Sequence, residues 1–318
     1  MSIDDQILNE EYFAHIVLPS EFDSKRTPIH FEYSQGKFLS PETSAEFKVT
    51  PFDRNDGRNP QPATTKSEHE AAVSAALIAI ESGEFEKVVI SCIKHEARNL
   101  QSLQSIFNRL IDNYPTACIF IMHHPDAGIW MGATPELLLR KEKSHYQTVS
   151  LAGTQSFKAN VHLEWSEKLI HEQEIVSKFI LNELEQCNAE NITGDGPYTV
   201  QAGPLAHLKT DIRFTSNLDS EGIIAHLQPT PAVCGMPREK ARLFIANHSS
   251  HSRRIYAGCI GILLPDEQEF HFVALRCMQV FEDHFELHVG GGIVAHSIAE
   301  EEWNETEMKA NVLRTLLK

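Results

Sequence analysis

The chain has 318 residues and a mass of 35.8 kDa, enough for one large domain or two modest ones. Apolar residues make up 42% and charged residues 23%, ordinary globular proportions that exclude an intrinsically disordered chain. The net charge of −16 opposes docking on a phosphate backbone or on anionic lipid, although a local cationic pocket can still hold a small anion.

Residues 1–66 read as an irregular leading part. Short strands are predicted at Phe13–Leu18 and His30–Tyr33, and the stretch Pro51 to Pro62, PFDRNDGRNPQP, is turn-rich. A helix is predicted from Ser67, its N-cap with Glu70 three residues on, to a stop at Gly83. EKVVISCI follows as a β-branched strand. Leu100–Asn113 reads as a helix, and Ala117–Met122 and Gly128–Met131 as strands. Glu164–Gln186 is the longest predicted helix, and Glu239–Asn247 is shorter. Ile255–Leu264, Phe270–Phe281 and His284–Val289 are predicted strands, the last two joined by a turn at Glu282–Asp283, and Ala299–Leu317 is a closing helix. Mixed runs of strands and helices with antiparallel neighbours point to an α+β architecture. No apolar run of about eighteen residues predicts a membrane span, and the acidic start MSIDDQILNEEYF lacks a signal-peptide pattern. Cysteines 92, 118, 187, 234, 259 and 277 are scattered, which fits reduced thiols and a cytoplasmic protein.

Charged residues interrupt the apolar stripes. At about 100° per residue, Trp165, Leu169, Val176 and Phe179 share a helix face with Glu172 at its centre. On the closing helix, Met308, Val312 and Leu316 form a stripe that includes Glu305 and Lys309, with Glu302 at its edge. A lone buried carboxylate costs several kcal/mol unless paired, protonated or metal-bound. Two such carboxylates suit either internal ion pairs or a hard ion such as Mg²⁺. Alternation along FHFVALRCMQV puts Arg276 on a face with Phe270, Phe272 and Met278, where a guanidinium calls for a carboxylate, internal or from a ligand. Lys87 opens a strand beside Val89 and Ser91, and Glu136 follows a proline in GATPELLLRK; each alone also reads as a surface charge. LAGT (151–154) and GGGIV (290–294) permit close backbone approach to a ligand or make a plain tight turn. The 17 histidines show no zinc spacing. G-x-G-x-x-G, P-loop and G-x-S-x-G patterns are also missing.

Together these pieces resemble the chorismate-utilising enzymes, which include isochorismate synthase, salicylate synthase and the large subunit of anthranilate synthase. KVVIS (87–91), GATPELLLRK (132–141), LAGT, SEKLIHEQEIV (166–176), HLKT (207–210), PTPAVCGMP (229–237), YAGCIG (256–261), ALRC (274–277), GGGIV and EEWNETEMK (301–309) run in family order. They cover about residues 68–318, while residues 1–66 match poorly and look shortened.

The resemblance implies one chorismate-binding domain of two antiparallel-rich sheets packed as a β-sandwich, with helices outside and the site in a deep cleft. It assigns Lys87 to activation of water at C2 and Glu136 to protonation of the departing C4 hydroxyl. Glu172 and Glu305 match Mg²⁺ ligands. Arg276, Lys309, Tyr256 and the backbone of Gly290, Gly291 and Gly292 match the grip on two substrate carboxylates, and His207 matches a wall of the site. Ala232 stands where aminating members carry the threonine of a Gly-Thr pair, which favours water as nucleophile and an isochorismate synthase serving menaquinone or siderophore synthesis. Salicylate synthases share these residues and add pyruvate elimination. Cys92, Leu169 and Ile170 depart from the family pattern, which keeps open a non-catalytic paralogue that binds chorismate. No amidotransferase partner is expected, and the protein is expected to be a monomer.

Overall fold

The computed structural model describes residues 1–9, 11–53, 58–99, 101–157 and 163–318. The leading part contains α1 (Ile3–Leu8), β1 (Phe13–Val17), β2 (Ile29–Ser34), β3 (Lys37–Leu39) and β4 (Glu46–Thr50). Next come α2 (Lys66–Glu81), β5 (Lys87–Ala97), α3 (Leu103–Asn113), β6 (Cys118–His124), β7 (Gly128–Thr134), β8 (Leu137–Glu142) and β9 (His145–Ser156). The middle holds α4 (Glu167–Gln186), β10 (Glu190–Ala202), β11 (Leu205–Thr215), α5 (Ser220–Leu227), β12 (Gly235–Met236) and α6 (Arg238–His248). The chain ends with β13 (Cys259–Leu263), β14 (Gln268–Val273), β15 (Cys277–Val280), β16 (His284–Val294) and α7 (Ala299–Arg314).

The predicted α+β class holds. All the strands join one hydrogen-bonded sheet of 16, in the order β10-β11-β9-β8-β14-β13-β4-β3-β2-β1-β6-β7-β15-β16-β5-β12. The sandwich is therefore continuous, and its two halves are joined through the short strands β4, β3, β2 and β1. Phe120, Met122 and Trp130 from one half share a core with Leu138, Ile260, Phe270 and Phe272 from the other. On the outer side of the first half, Ile119, Ile121 and Leu287 pack under α3 and α7. Val88, Ile90 and Ile293 pack under α2 and α6.

Several local expectations are corrected. The helix α2 is capped by Thr65 with Glu68 as its reciprocal partner, not by Ser67 and Glu70, and Gly83 follows it in the left-handed region at φ +76°. Helix α4 starts at Glu167 after its cap Ser166, so Trp165 lies outside it and donates to Thr199 Oγ1. The single strand predicted at Phe270–Phe281 is two, β14 and β15, because Arg276 adopts φ +47° and the chain changes sheet partners there. Both Gly-rich motifs lie within strands, in β9 and β16. Leu100 and part of the turn-rich stretch lie outside the described residues.

The leading part is not peripheral. β1 pairs with β2 and β6, and β4 pairs with β13. Phe31 and Phe47 are buried at 0% and 2% exposure, with ring centroids 5.6 Å apart. We expect Phe31→Ala to cost about 3–5 kcal/mol of stability in denaturant unfolding. A loss under about 1 kcal/mol would mean that these strands do not hold the halves together.

Candidate active site

The chain crosses between the two halves of the sheet at adjacent points. β7 gives way to β8 at Pro135–Glu136, and β14 gives way to β15 at Ala274–Arg276. Val273 N donates to Glu136 O at 3.0 Å, and Ala133 N donates to Arg276 O at 3.0 Å. The two crossings are thereby tied to each other, and both side chains line one cleft. The cleft is also lined by Glu172, His207, Ala232, Tyr256, Gly290, Gly292 and Lys309. The structure thus brings together most of the residues singled out from sequence.

Glu136 is 5% exposed. Burial pushes its carboxyl up to about 7, against the opposing pull of Lys87, Arg276 and Lys309. Near neutral pH it is therefore an acid able to give up a proton. Arg276 is buried and makes no ion pair with a carboxylate among the described residues. Its Nη2 donates to His207 Nε2 at 2.9 Å. His207 Nδ1 in turn donates to Gly153 O at 2.9 Å. Burial, then the guanidinium, lower His207 to about 3, so it is neutral and orients Arg276. Gly153 has φ +70° beside a register shift between β9 and β11, which aims its carbonyl at the imidazole. This cation, desolvated and lacking a carboxylate, suits an incoming anion.

Lys87 is 0% exposed at the start of β5, and so not a surface charge. It forms an ion pair with Glu172 at 2.9 Å. Burial alone would raise Glu172, but Lys87, assisted by Lys309 and Lys168, outweighs it and holds the carboxylate below its usual range. Lys309 Nζ bonds Glu305 Oε1 at 2.7 Å and Gly290 O at 2.8 Å. Each of the two acids expected to bind metal thus carries an internal ion pair as well. The glycines make this crowding possible. A Cβ at position 292 would lie 2.3 Å from Glu172 Oε1 and 2.8 Å from Lys87 Cε, and one at 290 would lie 2.9 Å from the Tyr256 hydroxyl. A Cβ at 291 would meet Glu302 Oε2 at 3.3 Å and Glu305 Oε1 at 3.7 Å. Gly290–Gly292 pair with Ser91–Val89 of β5, so their value is space more than free N–H groups.

Two residues of this cluster were not among the expected ligands. Glu302 is the most buried acid of α7 at 1% exposure, whereas Glu305 is half-buried. Glu302 Oε1 pairs with Lys168 at 2.5 Å, while its Oε2 has no hydrogen-bond partner among the described residues. Burial, reinforced by the charge of Glu305, raises Glu302. Lys168 stands four residues before Glu172 on α4, a spacing that shares one helix face and was readable in sequence. An orphaned oxygen beside further carboxylates fits a hard divalent cation. The departures from the family pattern lie elsewhere: Cys92 is buried in the core beneath α3 and α7, Leu169 packs near Gly153, and Ile170 is 39% exposed.

A model of the family described as chorismate binding enzyme matches residues 32–318. Isochorismate synthase EntC of Escherichia coli (strain K12) is 29% identical over 263 residues, 79% of this chain and 67% of that protein. Isochorismate synthase MenF of the same strain is 33% identical over 260 residues, 77% of this chain and 59% of that protein. The chain therefore spans about two thirds or less of the length of these relatives. The solved structure of Escherichia coli MenF superposes with a TM-score of 0.71 at 27% identity, covering 82% of this chain and 65% of that one. Bacillus anthracis DhbC, described as a 2,3-dihydroxybenzoate-specific isochorismate synthase, superposes with a TM-score of 0.75 over 99% of this chain and 85% of that one, a likeness of fold alone at 23% identity. The motifs, the shared fold and the match over residues 32–318 agree, and the chain belongs to the chorismate binding enzyme family.

Proposed function

We propose that the protein is an isochorismate synthase, an isomerase that adds water at C2 of chorismate and expels the C4 hydroxyl. The observation that carries this reading is a buried proton donor, Glu136, in one cleft with Arg276, whose guanidinium lacks a carboxylate partner among the described residues, and with Glu172, which the buried amine of Lys87 contacts from behind the cleft wall. The similarity to EntC and MenF supports the same choice. Arg276, steadied by His207, would take one substrate carboxylate, and Lys309 and Tyr256 would hold the other in the space that the β16 glycines leave. Lys87 would act as the neutral amine, released from its ion pair with Glu172, and draw the proton from the attacking water, while Glu136 would donate one to the leaving hydroxyl. Water enters and water leaves, so the reaction is an isomerisation with no net oxidation. Each proton transfer contributes about 10²- to 10⁴-fold.

Mg²⁺ is the cofactor proposed, held by Glu172 and Glu305 with Glu302 beside them. When bound it would neutralise the ring carboxylate and draw electron density from C2. Ala232, with no hydroxyl to offer the cleft, favours water over an amine. None of the departures lines the cleft, which favours an active enzyme over a non-catalytic paralogue.

Chorismate incubated with the protein and Mg²⁺ should give isochorismate alone on chromatographic separation. Salicylate with pyruvate would move the assignment to salicylate synthase, and no turnover with any divalent ion would overturn both. Lys87→Ala and Glu136→Gln should each lower kcat by about 10²- to 10⁴-fold with circular dichroism unchanged; a near-normal rate in either removes its assigned role. The pH profile follows from the raised Glu136. The required form of Glu136 is protonated, so it sets an alkaline limb on which the rate falls tenfold per unit above about 7. An initial-rate profile that stays flat to alkaline pH assigns the proton delivery to another group.

A further inference from the structure

Away from the cleft, the pairing of β5 with β16 assembles a second set of ligand-type side chains. Glu286 stands directly opposite His95, and His284 lies two residues earlier on the same face of β16. Glu286 Oε1 is 3.9 Å from His95 Nε2 and 3.7 Å from His284 Nε2. The ligand atoms of the three residues all lie within 4.8 Å of one another. Four ligands held about 2.1 Å from a tetrahedral ion are about 3.4 Å apart, so small side-chain rotations close the geometry.

The local chemistry also fits a cation. Glu286 is 0% exposed, and burial raises its carboxyl. Its Oε1 accepts from Gln61 N at 2.5 Å. Its Oε2 accepts no hydrogen bond among the described residues, and Arg254 Nη1 stands 3.8 Å from it. His284 Nδ1 donates to Asp283 Oδ1 at 2.7 Å. That bond fixes the tautomer and leaves the lone pair on Nε2, which is buried and has no hydrogen-bond partner among the described residues. A buried nitrogen lone pair facing a carboxylate oxygen is repulsive, and a cation between them turns the contact attractive. His95 Nε2 now donates to Gln61 O at 2.8 Å, so an ion there would replace that bond and leave the ring proton on Nδ1.

We propose that His95, His284 and Glu286 form a binding site for a borderline divalent transition-metal ion of the zinc type. Two imidazoles and one carboxylate match the ligand preference of Zn²⁺ better than that of Mg²⁺. Asp283 supplies the outer partner of one imidazole, and the partly exposed His95 leaves a fourth position for water. Lys87 lies eight residues from His95 along β5, about 25 Å at strand spacing. The ion therefore stands apart from Lys87 and clips β16 to β5 near the outer end of their ladder, while His288, which lines the inner end of the cleft, stands 3.9 Å from Glu286 Oε2. None of its three ligands is a residue assigned to the reaction proposed above.

Protein stripped with a chelator and titrated with Zn²⁺ alone should take up one tight equivalent that His284→Ala and His95→Ala lose and Glu305→Gln keeps. Asp283→Asn should weaken it about 10-fold. Saturating Zn²⁺ should raise Tm by about 2–6 °C in the unaltered protein and not in His284→Ala. Co²⁺ in its place should give the visible bands of a four-coordinate ion. Asp283 is 87% exposed, so its variant folds and decides the matter if a histidine variant does not. Unchanged uptake in all three variants, or no tight uptake at all, overturns the proposal.

Discussion

A strand that passes from one half of a sandwich to the other must break its hydrogen-bond ladder, and here two such breaks lie against each other. Each break carries an ionisable side chain: Glu136 at one and Arg276 at the other, joined by backbone bonds of Val273 to Glu136 and Ala133 to Arg276. Ladder positions in a central strand leave no freedom for a polar backbone group. At a crossing the backbone can turn, as it does at Arg276 with φ +47°, and present a side chain to a cleft while the flanking strands stay buried. Glu136 and Arg276 are thus held by the two points where the chain crosses between the halves. The surrounding core of Phe120, Trp130, Phe270 and Phe272 keeps both in place.

The second constraint is space against β16. Three acids and three lysines converge there in the pairs Glu172–Lys87, Glu305–Lys309 and Glu302–Lys168. Buried ion pairs gain little net stability over apolar packing, and Glu302 retains an oxygen with no hydrogen-bond partner among the described residues. Such a cluster makes physical sense as a place where charge from a ligand or an ion is received. The protein carries −16 overall, so the anionic substrate proposed would be held by local cations working against the net field.

The zinc-type cluster has the same origin in pairing. His95 and Glu286 are 191 positions apart in sequence yet face each other across one rung. A search for close ligand spacings along the chain passes over such a site, since its geometry comes from register.

Periodicity alone marked Glu172, Glu305, Lys309 and Arg276 as charges set in apolar stripes, and local order in the chain located α2, β5, α4 and α7. Those signals are carried by neighbours within a few residues, so they survive without tertiary information. The motifs in order then identified the family. Other features depended on distant partners. Lys87 reads as a solvated strand end until β16, β12 and α4 bury it. The leading residues read as irregular because β1 to β4 are short and gain their burial only by bridging the halves. Glu302 outranks Glu305 in burial because α7 rolls toward Lys168, a contact between helices that spacing on one helix does not reveal. The sequence by itself determined which residue types carry the chemistry and on which elements they ride. Tertiary structure decided which of them meet, because burial and register are set by strands and helices far apart along the chain.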